Sequence, residues 1–525
     1  MDRRAFLKLS GLGAMAAAGA GVQGASAEAA AGAGVQGASA EAAAGAAASR
    51  PAAAPRPDVL LIMPDQMRGD CLSALGHPAV RTPHLDALVR QGAAFTQAYT
   101  TVPSCIPARH SLLTGLFPQT SGVVGFRTRP IRWPTLPQCL VEAGYGTVLV
   151  GRYMHQTPAK EPYGYERCIL GSTHVDNDDY DQFLKRAAPE TGGIRKLVGR
   201  LGISYNGWEA NPWPLDDSLH PTEWIVAQAR KVVADGPADR PLFLTASFYA
   251  PHPPLFPPKM YFGRIRKRTL PPPAHGDWVA WDTLTPKGDG AGHRVLLQGE
   301  TLLKAQAGYY GLIEHLDDQI APLVAEFAAR SRKAGRPWVV VVTSDHGEMM
   351  GDHGYYRKCE PYEGSARIPF IVTGSPDLGF QAGLRTRQPV GLEDIMPTLL
   401  ALAGAACPDP MDGIDLGPVL RGEKQDVRPW LHFEHAPCYS QAQAFHALTD
   451  GRTKYIWRPT GGEEQLFDLE KDPREEHDLA RDAAQGELLE QWRARMVERL
   501  AKRPEGFSDG QRLIPGRPYP PLHAI

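Results

Sequence analysis

The sequence predicts an α/β fold: a mostly parallel central sheet flanked by helices, with a small α+β subdomain at the C-terminal end. Three observations lead there. Short, largely apolar runs recur at residues 58–63, 147–150, 242–248 and 338–343, the composition of strands buried on both faces. Segments of helical spacing alternate with them, at 82–95 and 302–330, as a parallel sheet requires. Polar residues suited to chemistry, Asp65, Arg152, His252, Asp345 and His346, each lie just past one of the apolar runs. Open parallel sheets bind ligands beyond the carboxyl ends of their strands.

Residues 1–57 are expected to be address and linker. Arg3-Arg4-Ala5-Phe6-Leu7-Lys8 leads into a mildly apolar, small-residue stretch and resembles a twin-arginine export signal. Ala25-Ser26-Ala27 and Ala38-Ser39-Ala40 both suit signal peptidase, and residues 19–31 are repeated at 32–44. Such low-complexity sequence is assigned no fold. The pattern implies a bacterial protein carried by the twin-arginine translocase to the periplasm or beyond.

The body divides into a catalytic domain at 58–425 and a C-terminal subdomain at 426–525. The latter shows two strand-like runs in hairpin order, 454–457 and 464–468, and a helix near 485–502. The chain has 525 residues and a formal net charge of −2, which argues against nucleic acid as a partner. No apolar run beyond the N-terminal stretch is long enough to span a bilayer, so an integral membrane protein is not expected. The seven cysteines are scattered and form no CxxC pair.

One of those cysteines opens the central motif, Cys105-Ile106-Pro107-Ala108-Arg109, continued by Ser111-Leu112-Leu113-Thr114-Gly115. Proline followed by helix formers places Cys105 at a helix N-terminus, where free N–H groups and the helix dipole favour an anion. Arg109 lies one turn further on, able to point back. Asp65-Gln66 follows the first strand, and Thr343-Ser344-Asp345-His346-Gly347-Glu348 follows a later one. Carboxylate and amide oxygens suit hard divalent cations, and imidazole widens the choice to softer ones.

C-x-P-x-R followed by L-T-G, flanked by these two pairs, resembles the formylglycine-dependent sulfatase family of alkaline-phosphatase-like fold. The resemblance implies that a maturase oxidises Cys105 to formylglycine, whose hydrate attacks sulfur and later expels sulfate by collapsing to the aldehyde. It implies a metal held by Asp65, Gln66, Asp345, His346 and the modified residue 105. Tyr249-Ala250-Pro251-His252-Pro253 resembles the segment whose histidine meets the sulfate and protonates the leaving oxygen. Arg357-Lys358-Cys359-Glu360 through Arg367-Ile368-Pro369 resembles the segment whose lysine binds sulfate, here Lys358, with Arg367 holding the loop. Gly151-Arg152-Tyr153-Met154-His155 resembles a G-K-W-H region, with Arg152 in place of lysine and His155 one position late. The catalytic set is therefore Cys105, Arg109, Arg152, His155, His252 and Lys358.

The sequence departs from the common pattern at the metal site as well. Many sulfatases carry Asp-Asp and Asp-Asn at the two metal sites with Ca2+ bound, whereas Gln66 and His346 stand here. Ca2+ is expected, with Mn2+ the alternative. The implied function is hydrolysis of a sulfate monoester of a sugar or aryl alcohol. A phosphonate monoester or phosphodiester hydrolase on the same fold is the alternative, and a non-catalytic saccharide-binding relative is the second. Trp278, Trp281 and the basic run 264–268 are candidates for saccharide or polyanion contacts, and Asp352-His353 for the leaving group.

Overall fold

A computed structural model describes residues 55–159, 161–289 and 293–523; the expected export signal and the duplicated segment lie outside the described residues. Along the first strand, β1 (Asp58–Asp65), side chains alternate between two cores. Leu60 and Ile62 enter one apolar cluster, and Val59, Leu61 and Met63 enter the other. A period of two with apolar residues at both phases is what a strand covered on both faces needs, which explains the unbroken apolar run.

The remaining strands of this sheet are β2 (Ala93–Phe95), β4 (Gly146–Gly151), β5 (Arg167–Leu170), β6 (Leu242–Pro251), β7 (Trp338–Thr343), β8 (Phe370–Gly374) and β9 (Leu384–Thr386), while β3 (Ala98–Tyr99) pairs elsewhere. Among the described residues the order is β5-β4-β6-β1-β7-β8-β2-β9. Pairings around β1 are parallel, as expected, and β8 alone runs against its neighbours. The carboxyl ends of β1, β4, β6 and β7 therefore open on one edge, where Asp65, Arg152, His252 and Asp345 stand.

Two expectations shift in detail. The helix expected over 82–95 ends at Gln91, and residues 93–95 form β2 instead. Gly92 breaks the helix, and its backbone passes so close to β8 that a Cβ would lie 2.2 Å from the Val372 carbonyl oxygen. The first strand also runs through Pro64 to Asp65 rather than stopping before it. The long helix, Gly299–Lys333, forms as expected and tolerates Pro322 within it. Among the described residues no helix is long and apolar enough to cross a membrane.

Near the C-terminus, β11 (Leu431–His435), β12 (Phe445–Thr449), β13 (Thr453–Trp457) and β14 (Glu464–Asp468) form an antiparallel sheet, following the two residues of β10 (Val390–Gly391) that pair with β3. One face packs Tyr455, Trp457 and Leu466 against Trp492, Met496 and Leu500 of the helix Gly486–Leu500. The other packs Phe433, Phe445 and Phe467 against Tyr99 and Tyr362 of the main body. Two cations make ion pairs on this second face. Fully buried Lys454 meets Glu363 and Glu475, each at 2.7 Å, and Arg458 meets Glu360 at 3.0 Å. Both carboxylates 360 and 363 belong to the segment that carries Lys358.

The loop between β6 and the long helix differs from expectation. Trp278 is spent on packing, stacked on Tyr362 with its Nε1–H donated to the Glu475 carbonyl, and Trp281 stacks on His275. Arg264 and Arg268 pair with Glu314 and Arg266 with Glu300, so the three arginines of the basic run are tied to the long helix. Removing the charge of Lys454 while keeping its length would strand two buried carboxylates. Lys454→Met is expected to lower stability by about 3–5 kcal/mol, read as an earlier midpoint in urea unfolding.

Candidate active site

The site is assembled where four strands end. Ser344 ties two of them together: its hydroxyl donates to the Pro64 carbonyl (3.0 Å) and accepts from the Met67 N–H (2.9 Å). Beside it, Gly347 is needed because the segment Glu363–Ala366 crosses so closely that a Cβ would lie 2.1 Å from the Gly364 oxygen. Gly151 has φ +101°, and a Cβ there would meet the Ser247 carbonyl oxygen at 2.0 Å. That turn sends Arg152 back across the strand ends.

Cys105 is the first residue of the helix Cys105–Thr114, with Ser104 as N-cap, as the motif predicts. Pro107 is tolerated because the first turn leaves its N–H groups unpaired in any helix. Only 1% of Cys105 is exposed. Its Sγ lies 3.1 Å from Lys358 Nζ, 3.1 Å from His346 Nε2 and 3.9 Å from Asp65 Oδ1. Burial alone would raise the thiol pKa. The Lys358 ammonium and the His346 imidazole outweigh it and bring the value to about 6.

Arg109, one turn along, spans the two carboxylates. Its Nη2 donates to Asp65 Oδ2 at 2.8 Å and its Nε to Asp345 Oδ2 at 2.9 Å, with all three side chains fully buried. Arg152 adds Nη1 to Asp65 Oδ2 at 3.0 Å and stacks over the Tyr249 ring. Burial would raise the Asp65 carboxyl, but Arg152 and Arg109 hold it below its ordinary value. His155 backs this pair: its Nδ1 accepts from Arg152 Nη2 at 3.3 Å. Burial and Arg152 push it down to about 3, so it is neutral. Its ring lies among Tyr153, Phe126 and His174.

His252 sits 3.1 Å from Lys358 Nζ through Nε2, while its Nδ1–H donates to the Pro253 carbonyl at 2.6 Å. Burial, then Lys358 and Arg152, hold it well below the usual imidazole range, in agreement with Nε2 as acceptor. Lys358 also donates to Gln66 Oε1 at 2.9 Å. Burial would lower the lysine, and Cys105 and Asp65 keep it raised. Lys358 is thus the hub joining thiol, imidazole and amide.

The ligand atoms of Asp65, Cys105, Asp345 and His346 all lie within 4.8 Å of one another and are buried, a donor set that fits a divalent cation. The His346 Nδ1–H donates to the Gly347 carbonyl at 2.9 Å, which leaves Nε2 as the atom turned inward. Gln66 lies beside this cluster. Its N–H donates to Asp345 Oδ1 at 3.0 Å and its side-chain oxygen faces Lys358.

Other expected contacts resolve differently. Arg367 pairs with Glu363, a loop-fixing role as expected. Asp352 accepts from Arg68 and the Ala274 N–H, and His353 packs against Trp278 and Tyr362, so both are scaffold rather than leaving-group contacts. Two participants escape sequence reasoning. Ser104 Oγ lies 2.8 Å from Nε2 of His435, a residue 331 positions away, with no local signal. Glu348 stands inside the quoted motif, yet nothing in its spacing distinguishes it from a solvated acid.

A family profile described as Sulfatase matches residues 57–405, and one described as N-sulphoglucosamine sulphohydrolase, C-terminal, matches residues 351–502. An arylsulfatase of Clostridium perfringens (strain 13 / Type A) is 34% identical over 487 residues, covering 90% of this chain and 100% of its own. A choline-sulfatase of Rhizobium meliloti (strain 1021) is 26% identical, covering 81% of this chain and 82% of its own. Among solved structures, the phosphonate monoester hydrolase of Agrobacterium radiobacter is similar with TM-score 0.71 and 25% identity, covering 85% of this chain and 96% of that one.

In unmodified, metal-free protein the Cys105 thiol is expected to titrate near pH 6, with thiolate dominant above it. Thiolate ultraviolet absorbance, taken as a difference against Cys105→Ala, measures this. Lys358→Met is expected to move the midpoint upward, toward the ordinary thiol value of about 8.5.

Proposed function

The chain belongs to the sulfatase family, with its alkaline-phosphatase-like fold, and from that premise we propose that it hydrolyses sulfate monoesters of sugars or aryl alcohols through formylglycine made from Cys105. The observation that carries this reading is the placement of Cys105: a buried helix N-terminus, in contact with Lys358 and His346 and inside a cluster of potential metal ligands. The hydrated aldehyde would supply one hydroxyl to attack sulfur and a second to expel sulfate. Asp65, Gln66, Asp345, His346 and residue 105 would hold a divalent cation, Ca2+ or alternatively Mn2+, whose Lewis acidity polarises substrate oxygen and lowers the pKa of the attacking hydroxyl.

The chain's own residues supply the rest. Arg109 fixes Asp65 and Asp345, and with them the register of the nucleophile helix. Arg152 and Lys358 present fixed cations to the sulfuryl oxygens, where charge builds in the transition state. The proton between Lys358 Nζ and His252 Nε2 is the one available to the leaving oxygen. His155 keeps Arg152 oriented from behind.

Hydrolysis of phosphonate monoesters or phosphodiesters is the second reading. His346 and Gln66, and the likeness to a phosphonate monoester hydrolase, favour it. Maturation requires a formylglycine-generating enzyme. The paired arginines near the N-terminus support twin-arginine export of the matured protein to the periplasm or medium.

The test uses protein co-expressed with a formylglycine-generating maturase. Peptide mass spectrometry is expected to find an aldehyde at position 105, and Cys105→Ala to lose hydrolysis of sulfated saccharides and aryl sulfates altogether. Sulfate esters are expected to give the larger kcat/KM when assayed beside phosphonate esters; the reverse order would favour the second reading. A retained thiol in active protein would overturn the mechanism.

A further inference from the structure

Glu348 is fully buried and has no part in the chemistry above. Its Oε1 accepts from the Met350 N–H at 2.8 Å and the Arg357 N–H at 2.6 Å. Its Oε2 accepts from the side-chain amide Nε2 of Gln66. On the other side of the same amide, Gln66 Oε1 accepts from Lys358 Nζ.

The two partners fix the amide independently. An ammonium has donors only, so the atom facing Lys358 must be the carbonyl oxygen. The NH2 then faces Glu348, which has to offer an accepting oxygen. The main chain of Gln66 is held as well: φ is +66°, its N–H is given to Asp345, and its carbonyl accepts from the Tyr309 hydroxyl at 2.6 Å. The remaining freedom is rotation of the amide about its own axis. Flipped, it would turn an N–H dipole toward Lys358 and the metal cluster.

We propose that Glu348 is a positioning residue that, by accepting the Gln66 NH2, keeps the Gln66 carbonyl oxygen turned toward the cations of the active site. This rests on the reading of Gln66 as a metal ligand. Partners that orient a ligand from behind commonly govern metal affinity as strongly as a ligand does. The carboxylate also lends negative polarisation to a neutral ligand at one remove, where the common pattern has a carboxylate in direct contact.

The experiment uses matured enzyme stripped with a chelator and titrated with Mn2+, following the signal of free Mn2+ by electron paramagnetic resonance. Glu348→Gln is expected to weaken Mn2+ binding about 10–100-fold. Gln66→Met is expected to cause a comparable loss, and the double variant no more than Gln66→Met alone, because the pair acts as one unit. Metal-free unfolding temperatures identify folded variants. Should Glu348→Gln fail to fold, Glu348→Asp carries the test, with a smaller but measurable loss. Wild-type affinity in Glu348→Gln or Glu348→Asp, wild-type affinity in Gln66→Met, or additive losses in the double variant would each overturn the proposal. Sulfate-ester hydrolysis on the same preparations separates the two claims. Wild-type enzyme that binds Mn2+ through the Gln66–Glu348 pair but leaves sulfate esters intact overturns the sulfatase reading alone.

Discussion

Two carboxylates at the ends of adjacent strands repel each other, and the site exists because Arg109 holds them together. Asp65 ends β1 and Asp345 follows β7, and the guanidinium reaches both from a third element. A planar fork with several fixed donors suits this geometry where a lysine would not. Arg109 rises from the helix that Cys105 begins, so the bond that joins the carboxylates also sets where Sγ sits. Buried ion pairs are weak contributors to stability on their own because of desolvation. What this one secures is position: it ties both strand ends and their carboxylates to the helix that Cys105 begins. The five-residue motif thereby has a structural logic, with the cysteine at the helix start and the arginine one turn later.

The antiparallel sheet near the C-terminus acts as a buttress for this arrangement. His435, the last residue of β11, reaches the N-cap Ser104, and the Glu434 N–H donates to the Thr101 carbonyl. Lys454 and Arg458 grip Glu363 and Glu360, in the segment that carries Lys358. Gln443 adds an amide contact to the Lys358 carbonyl at 3.4 Å. Lys358 is buried and must point a long, flexible chain at one sulfur atom. Ordering such a side chain costs up to about 2 kcal/mol of rotamer entropy, which a rigid support limits by preorganising the backbone. The C-terminal strands thus bear on the chemistry without touching the cluster itself.

Much of this was legible in the sequence, for local reasons. Apolar runs without alternation report strands covered on both faces, and a polar residue just past each run reports the binding edge. Cys105, Arg109, Asp65, Asp345 and His346, which the structure brings together, each lie within a few residues of a structural signal. The rest depends on partners distant in sequence. Ser104 and His435, Lys454 and Glu363, and Arg264 and Glu314 pair across long separations, and no local pattern announces them. The basic run therefore reads as a polyanion surface until Glu314 is seen beside it. The strand at Ala93–Phe95 was missed because small, apolar residues continue the helical spacing; the close passage of Gly92 along β8 ends the helix, and only the fold shows it.

The departures at Gln66 and His346 change the charge of the cluster, and that bears on which esters it can turn over. Replacing the second aspartate of the common pattern with an amide removes one negative charge from the ligand set. With a divalent ion bound as proposed, Asp65, Asp345 and residue 105 would face Arg109, Arg152, Lys358 and that ion, a surplus of positive charge in a buried volume. At low effective dielectric such a surplus binds a tetrahedral anion strongly. Sulfate monoesters and phosphonate monoesters present that same shape with a single negative charge, so electrostatics alone favours both. Discrimination must come from groups that meet the ester's uncharged substituent and from the fit of the ion to its ligands. Beside Arg152, the rings of Tyr153, His155, His174 and Tyr249 pack against one another and against the guanidinium. Were an ion held there as proposed, its choice would turn on His346, whose imidazole nitrogen is softer than the oxygens around it.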